Sequence, residues 1–256
     1  MKSIHHIAHS GRICIIIPTY NERGNIKRLV SLIQEVLHSS SLTDSASILI
    51  VDDDSPDGTG ELAEELADIY DNVHVMHRPS KLGLGSAYKQ GFSYARKYLK
   101  SEIFFQMDAD FSHNPKYLNS FLSKLDKGYD VVVGSRWISG GITLGWNVYR
   151  YLLSSLANHL AKLMSGIRIM DATSGYRAFS LSALQLIRYS SVKSEGYAFQ
   201  IEMLFRCQRK NLKLAEIPIV FVSRRKEKTK LDKREILMFL VTCSRLLFER
   251  LNLPPN

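Results

Sequence analysis

ICIIIPTYNERGNIKRLVSLIQEVL, residues 13–37, holds two periodicities in succession. Residues 13–17 form a continuous apolar run that stops at Pro18, and across 25–37 the apolar residues recur at helical spacing. An unbroken apolar strand belongs to a sheet buried on both faces. The alternation continues outward from this stretch. Residues 48–51 are apolar and end in three aspartates; 60–70 read as a helix, 73–76 as a strand, 86–99 as a helix, 103–107 as a strand, 115–125 as a helix and 131–133 as a strand. This predicts an α/β fold with an open, mostly parallel sheet flanked by helices. Further on, 146–164, 182–189 and 199–209 read as helices. Residues 214–222 read as a strand that Pro218 confines to an edge or an entry, and 232–251 as an amphipathic C-terminal helix.

In such a sheet ligands bind beyond the carboxyl ends of the strands. The polar clusters fall there: Pro18-Thr19-Tyr20-Asn21-Glu22, Asp52-Asp53-Asp54-Ser55, Asp108-Ala109-Asp110 and Gly134-Ser135-Arg136. Four such clusters at four strand ends are expected to converge on one crevice.

Composition narrows the class. The chain has 256 residues with no linker-like tract and no repeat, which favours one domain over 1–256 with a disordered tail at 1–11. His5, His6 and His9 belong to that tail rather than to a metal site. Cys14, Cys207 and Cys243 match no zinc or redox spacing, which points to a reducing, cytoplasmic setting. No stretch approaches the roughly 18 apolar residues of a membrane span. The net charge is +9, and residues 223–234, SRRKEKTKLDKR, carry +5 of it. A surface of this sign attracts phosphates and anionic headgroups. Aromatic–basic interleaving is absent and acids crowd the strand ends, so no nucleic acid partner is expected.

Asp108 and Asp110 are the sharpest chemical feature. Two carboxylates one residue apart after a buried strand suit Mg²⁺ or Mn²⁺ already bound to a diphosphate. The competing reading is a solvated turn capping the next helix, a task Ser112 and Asn114 are also equipped for. Among Asp52, Asp53 and Asp54, Asp53 is the candidate for a base or ribose, and Asp57 the turn residue. Gly83-Leu84-Gly85 fits a tight strand-to-helix turn rather than a phosphate loop, and no G-x-x-x-x-G-K-[ST] occurs. Arg136, Arg150, Arg177, Arg224 and Lys230 are the cationic candidates for phosphate, with Arg136 directly beyond a buried strand.

The set PTYNE (18–22), VDDDSPDGT (51–59), GLGSA (83–87), MDADFSHNP (107–115), GSRW (134–137), DATSGYRAF (171–179) and GYAFQIE (196–202) resembles the dolichol-phosphate mannose synthases, polyprenyl-phosphate mannosyltransferases among the inverting family 2 glycosyltransferases of GT-A fold. The likeness spans about residues 13 to 231. It implies that Pro18, Tyr20, Glu22, Val51 and Asp53 hold the guanine nucleotide of GDP-mannose. Asp108 and Asp110 would hold Mg²⁺ or Mn²⁺, with Ala109 against the donor and Ser112, where Gln occurs in relatives, as a further metal contact. Arg136, Arg150 and Ser154 would grip the acceptor phosphate, while Arg224 and Lys230 would reach the donor diphosphate. Asp110 and Arg136 are the residues on which turnover is expected to rest. The basic loop departs from the common pattern, with Glu227 in place of Gly and Thr229 in place of Ser.

A polyprenyl (dolichyl) phosphate is already anionic near neutrality, its second pKa lying at about 6, so no general base is assigned. The implied chemistry is in-line attack with inversion, carried by positioning and charge. The helices at 146–164 and 232–251 have amphipathic stripes flanked by Arg and Lys, which suits the plane of a membrane as well as core packing. The resemblance therefore implies a peripheral enzyme on the cytosolic face of a membrane, endoplasmic reticulum or plasma membrane by organism, alone or with a small membrane-anchoring subunit. A glucose or amino-arabinose donor on uridine diphosphate, and a non-catalytic lipid-phosphate scaffold, remain alternatives.

Overall fold

The computed structural model describes residues 11–223 and 233–252. The tail up to residue 10, and with it His5, His6 and His9, lies outside the described residues, as do Arg224, Glu227, Thr229 and Lys230.

The elements follow the expected alternation: β1 Ile13–Thr19, α1 Arg23–Ser39, β2 Ala46–Asp52, α2 Thr59–Ile69, β3 Val73–His77, α3 Leu84–Lys97 and β4 Ile103–Gln106. A short 3₁₀ turn, Pro115–Tyr117, leads into α4 Leu118–Asp126 and β5 Val131–Ser135. Then come β6 Ile142–Leu144, α5 Val148–Ser165, β7 Arg177–Ser180, α6 Leu181–Ile187, α7 Gly196–Arg209, β8 Leu214–Pro218, β9 Val220–Val222 and α8 Lys233–Asn252. The large sheet has the order β3-β2-β1-β4-β7-β5-β8. All its pairings are parallel except those of β7, which runs antiparallel between β4 and β5.

The apolar run of β1 is explained by burial on both faces. Ile13, Ile15 and Ile17 pack with α1 and α4, Cys14 and Ile16 with α3, and none is more than 2% exposed. Each such isoleucine contributes about 1.5–3 kcal/mol of transfer free energy. Cys14, Cys207 and Cys243 are all free and buried, and burial pushes the Cys14 thiol far above its usual value, as befits inert core side chains. The Gly83 turn is as expected, with φ +95° immediately before α3.

Two features differ from the expectation. The strand foreseen across 214–222 is two strands: β8 edges the large sheet, and after Ile219 the chain leaves it so that β9 pairs with β6 in a separate ribbon. The strands β6 and β7 were not foreseen, because they are three and four residues long and β7 opens with a charged residue.

The C-terminal helix is split in character. Phe239, Thr242, Cys243 and Leu246 of α8 are buried, three of them in a core shared with α5 and α7, while Leu237, Val241, Phe248 and Leu251 stand exposed. Helix α5 is stranger still. It buries Asn158, Ala161 and Ser165, yet exposes Val148, Tyr149, Leu152, Leu156 and Leu163. No helix among the described residues is long and apolar enough to cross a membrane.

Candidate active site

The strand order reverses between β1 and β4, the place where an α/β sheet opens a crevice. Registers bring the expected clusters level there: Thr19 pairs with Asp52, and Ile16 with Gln106, two residues before Asp108.

On the β1–β2 side the acids divide their tasks. Asp52 is buried and accepts from Thr19 Oγ1 (2.9 Å), Ser55 N (3.0 Å) and Ser55 Oγ (2.6 Å), so it shapes the turn. Asp57 accepts from the N–H groups of Arg23 and Thr59, the turn role expected of it. Asp53 faces Arg78, whose Nη1 donates to Oδ1 at 2.7 Å, and its Oδ2 accepts from Leu82 N at 3.2 Å. Burial raises the Asp53 pKa; Arg78 and the Leu82 amide oppose that shift. Arg78 is 3% exposed and also donates to Ser86 Oγ. Sequence reasoning missed it, since its partner lies 25 residues away. Tyr20 is exposed with Lys81 Nζ 4.1 Å over its ring, and Glu22 stands at the start of α1, its Oε2 accepting from Asn25. Pro18 is half-buried beside them. Val51 is fully buried, its side chain packed with α3.

Beyond β4, Asp108 and Asp110 present carboxylates flanking Ala109, which is 3% exposed. The Asp108 side chain is 33% exposed. Its Oδ1 lies 3.4 Å from Tyr88 Oη, and burial, followed by the Asp108 charge, keeps the Tyr88 phenol protonated by raising its pKa well above the usual value. Asp110 Oδ1 accepts from Ser112 N (3.0 Å) and Ser112 Oγ (2.5 Å). Ser112 is thus a brace for Asp110, and Asn114, accepting from Lys116 N, is the cap of the following turn. Two carboxylates at a strand end fit a hard divalent cation that draws its remaining ligands from a diphosphate and water. No group of three or more His, Cys, Asp or Glu that could hold a metal ion is assembled among the described residues.

Beyond β5, Arg136 is held as a fork. Its Nε donates to Asp171 Oδ2 (2.7 Å), its Nη2 to Asp171 Oδ1 (2.6 Å) and to Thr173 Oγ1 (2.9 Å). Asn158 of α5 bonds the same Thr173 and reaches back to the Ser154 carbonyl, which ties half-buried Ser154 to this cluster. Arg150 donates to Ser223 Oγ, and both guanidinium carbons lie over the Trp146 ring, Arg150 at 4.8 Å and Arg136 at 5.2 Å. The three residues expected at the acceptor phosphate therefore belong to one cluster around Trp146, Asn158 and Thr173. Arg177 does not join them. It is fully buried and its Nε, Nη1 and Nη2 donate to the carbonyls of Ser174, Gln200 and Ala172, with burial pulling its pKa down to about 9. Its charge is spent stapling loop to helix.

Residues 14–188 match the family described as Glycosyl transferase family 2. The polyprenol monophosphomannose synthase of Mycolicibacterium smegmatis is 42% identical over 83% of this chain and 78% of its own length. The undecaprenyl-phosphate mannosyltransferase of Micrococcus luteus is 36% identical over 86% and 88%. Among solved structures, glucosyl-3-phosphoglycerate synthase of Mycobacterium tuberculosis with Mn²⁺ and UDP-glucose superposes with a TM-score of 0.63 at 20% identity, over 96% of this chain and 80% of that one. A mannosyltransferase of Pyrobaculum calidifontis with GDP-mannose and Mn²⁺ gives 0.58 at 17%, over 87% and 59%. At such identities the likeness is one of fold.

Proposed function

This chain belongs to glycosyl transferase family 2, as an enzyme related to the polyprenyl-phosphate mannosyltransferases, and on that premise we propose that it transfers mannose from GDP-mannose to a polyprenyl phosphate with inversion. The observation that carries the reading is the nearness of Asp108 to the cationic corner of Arg136 and Arg150: Phe221 meets both His113, beside Asp108, and Arg136, and Tyr197 feels the charges of Asp108, Arg150 and Arg136 together.

Tyr20, Glu22 and Asp53, with Pro18, receive the guanosine, and Asp108 and Asp110 hold Mg²⁺ or Mn²⁺. The ion, when bound, neutralises the charge that develops on the leaving diphosphate. Arg224 and Lys230 approach the same diphosphate. Arg136 and Arg150 orient the attacking phosphate oxygen, which needs no base. Asp171 fixes the Arg136 fork in advance, so little of its freedom remains to be lost when the acceptor arrives.

The prenyl tail calls for an apolar surface. Inverted α5, with polar and small residues inside and Val148, Tyr149, Leu152 and Leu156 outside, supports docking on a membrane from the helix that carries Arg150 and Ser154. The exposed stripe of α8 extends it. We assign the protein a peripheral position on the membrane face where nucleotide sugars are supplied.

Competition binding separates the donor readings. GDP and GDP-mannose are expected to displace a labelled guanosine probe while UDP-glucose does not; preference for the uridine nucleotide would overturn the mannose assignment. Nuclear magnetic resonance of the lipid product is expected to show a β-mannosyl phosphate, and an α-product would overturn inversion.

A further inference from the structure

The buried ring of His113 lies against Asp108 and has no part in the roles given above. The Asp108 N–H donates to His113 Nδ1 at 2.9 Å. A backbone amide can only donate, so Nδ1 is the acceptor, and in the neutral ring the proton sits on Nε2. That Nε2 stands 3.7 Å from Asp108 Oδ2, within ion-pair reach, while Tyr88 Oη donates to the other oxygen at 3.4 Å. The ring is fixed in turn. It stacks on Tyr176 at 4.9 Å and 16°, and the Tyr176 hydroxyl donates to the Asn114 carbonyl next to His113. Phe111 takes φ 63°, the left-handed turn that folds His113 back onto the residue five positions earlier. The Cβ that Gly175 lacks would come within 3.3 Å of His113 Cε1 and 3.7 Å of Asp108 Oδ2, so the glycine leaves the carboxylate open on that side.

We infer that His113 is a positioning residue that aims the Asp108 carboxylate at the divalent cation, through a hydrogen bond from the Asp108 amide and a ring nitrogen 3.7 Å from its side-chain oxygen. The inference rests on the reading that Asp108 binds the ion.

The test is Mn²⁺ affinity of the full chain in the presence of GDP, followed by electron paramagnetic resonance, with no turnover required. His113→Phe keeps the stacked ring and removes both nitrogens; it is expected to weaken Mn²⁺ about 10–100-fold, the range for residues that orient a metal ligand. His113→Asn places an oxygen where Nδ1 was and is expected to recover most of that loss. Unchanged Mn²⁺ affinity in His113→Phe, or no recovery in His113→Asn, overturns the inference. Should His113→Phe fail to fold, His113→Asn decides alone, because a role in packing predicts loss without the ring and the inferred role predicts retention. Asp108→Asn is the control: if it leaves Mn²⁺ binding intact the metal reading itself falls, and if it weakens binding while His113→Phe does not, only the role of His113 falls.

Discussion

Replacing Asp171 by Asn tests how the acceptor corner is built. Asp171 is fully buried, and its carboxylate accepts from Arg136 N (2.9 Å), Nε (2.7 Å) and Nη2 (2.6 Å). The amide is of equal size but turns one acceptor into a donor facing N–H groups. It also leaves a guanidinium whose side chain is 8% exposed without its counter-charge. Breaking a buried pair from one side costs about 3–5 kcal/mol. Asn keeps one acceptor, so we take about 3 kcal/mol. For a chain of this size each kcal/mol lowers Tm by about 2–4 °C, which gives a fall of roughly 10 °C. In a mannosyl-transfer assay the same variant is expected to raise KM for polyprenyl phosphate while the affinity for GDP stays unchanged, because Asp53 and Tyr20 lie on the other side of the crevice. A Tm within about 2 °C of wild type would refute the buried fork as a held pair. Loss of GDP binding in step with acceptor binding would refute the division of the crevice into two sides.

Asp110→Ala is expected to lower kcat by about 10²–10³, the scale of one lost electrostatic partner of the transition state, and near-normal turnover would remove the metal role. Glu202 carries a pH prediction. Burial alone would raise its carboxyl pKa, but hydrogen bonds from Ser194 and Arg245 outweigh burial and hold it below the usual 4.5. A depressed folded value means stability present above the unfolded pKa and lost as pH falls through the folded one. The Tm gap between wild type and Glu202→Gln is therefore expected to be widest above pH 4.5 and to close on acidification below it; a gap that widens in acid would contradict this. Leu152→Lys together with Leu156→Lys on exposed α5 is expected to leave Tm within a few degrees yet abolish flotation with anionic vesicles carrying polyprenyl phosphate. Undiminished flotation would move the docking surface elsewhere.

The strand-to-helix alternation and the crevice were legible because both are local in sequence. Ile13 to Ile17 announce a doubly buried strand by composition alone, and the acids of 52–54 and 108–110 stand directly after apolar runs. What holds those acids was not legible, since each support arrives from far along the chain. Arg78 reaches Asp53 across 25 residues and Asp171 reaches Arg136 across 35. Arg177 shows the limit most clearly. Its charge marks it as a phosphate ligand in the sequence, yet three main-chain carbonyls, those of Ala172, Ser174 and Gln200, enclose it in the core. His113 was quoted inside MDADFSHNP without a role, because only the turn at Phe111 reveals that it folds back on Asp108. Helix α5 was read from its stripe, but the direction of that stripe, apolar outward, needed the neighbours.

The central claim is a metal-dependent transfer of mannose to a lipid phosphate, and one assay addresses all of it. The chain is incubated with radiolabelled GDP-mannose, polyprenyl phosphate and Mg²⁺ or Mn²⁺, with and without EDTA, and label is counted in the organic extract. The account predicts label that appears only with the acceptor and the ion and vanishes with EDTA. Label that persists undiminished in EDTA, or none at all while GDP-mannose stays bound and the acceptor is present, would contradict it.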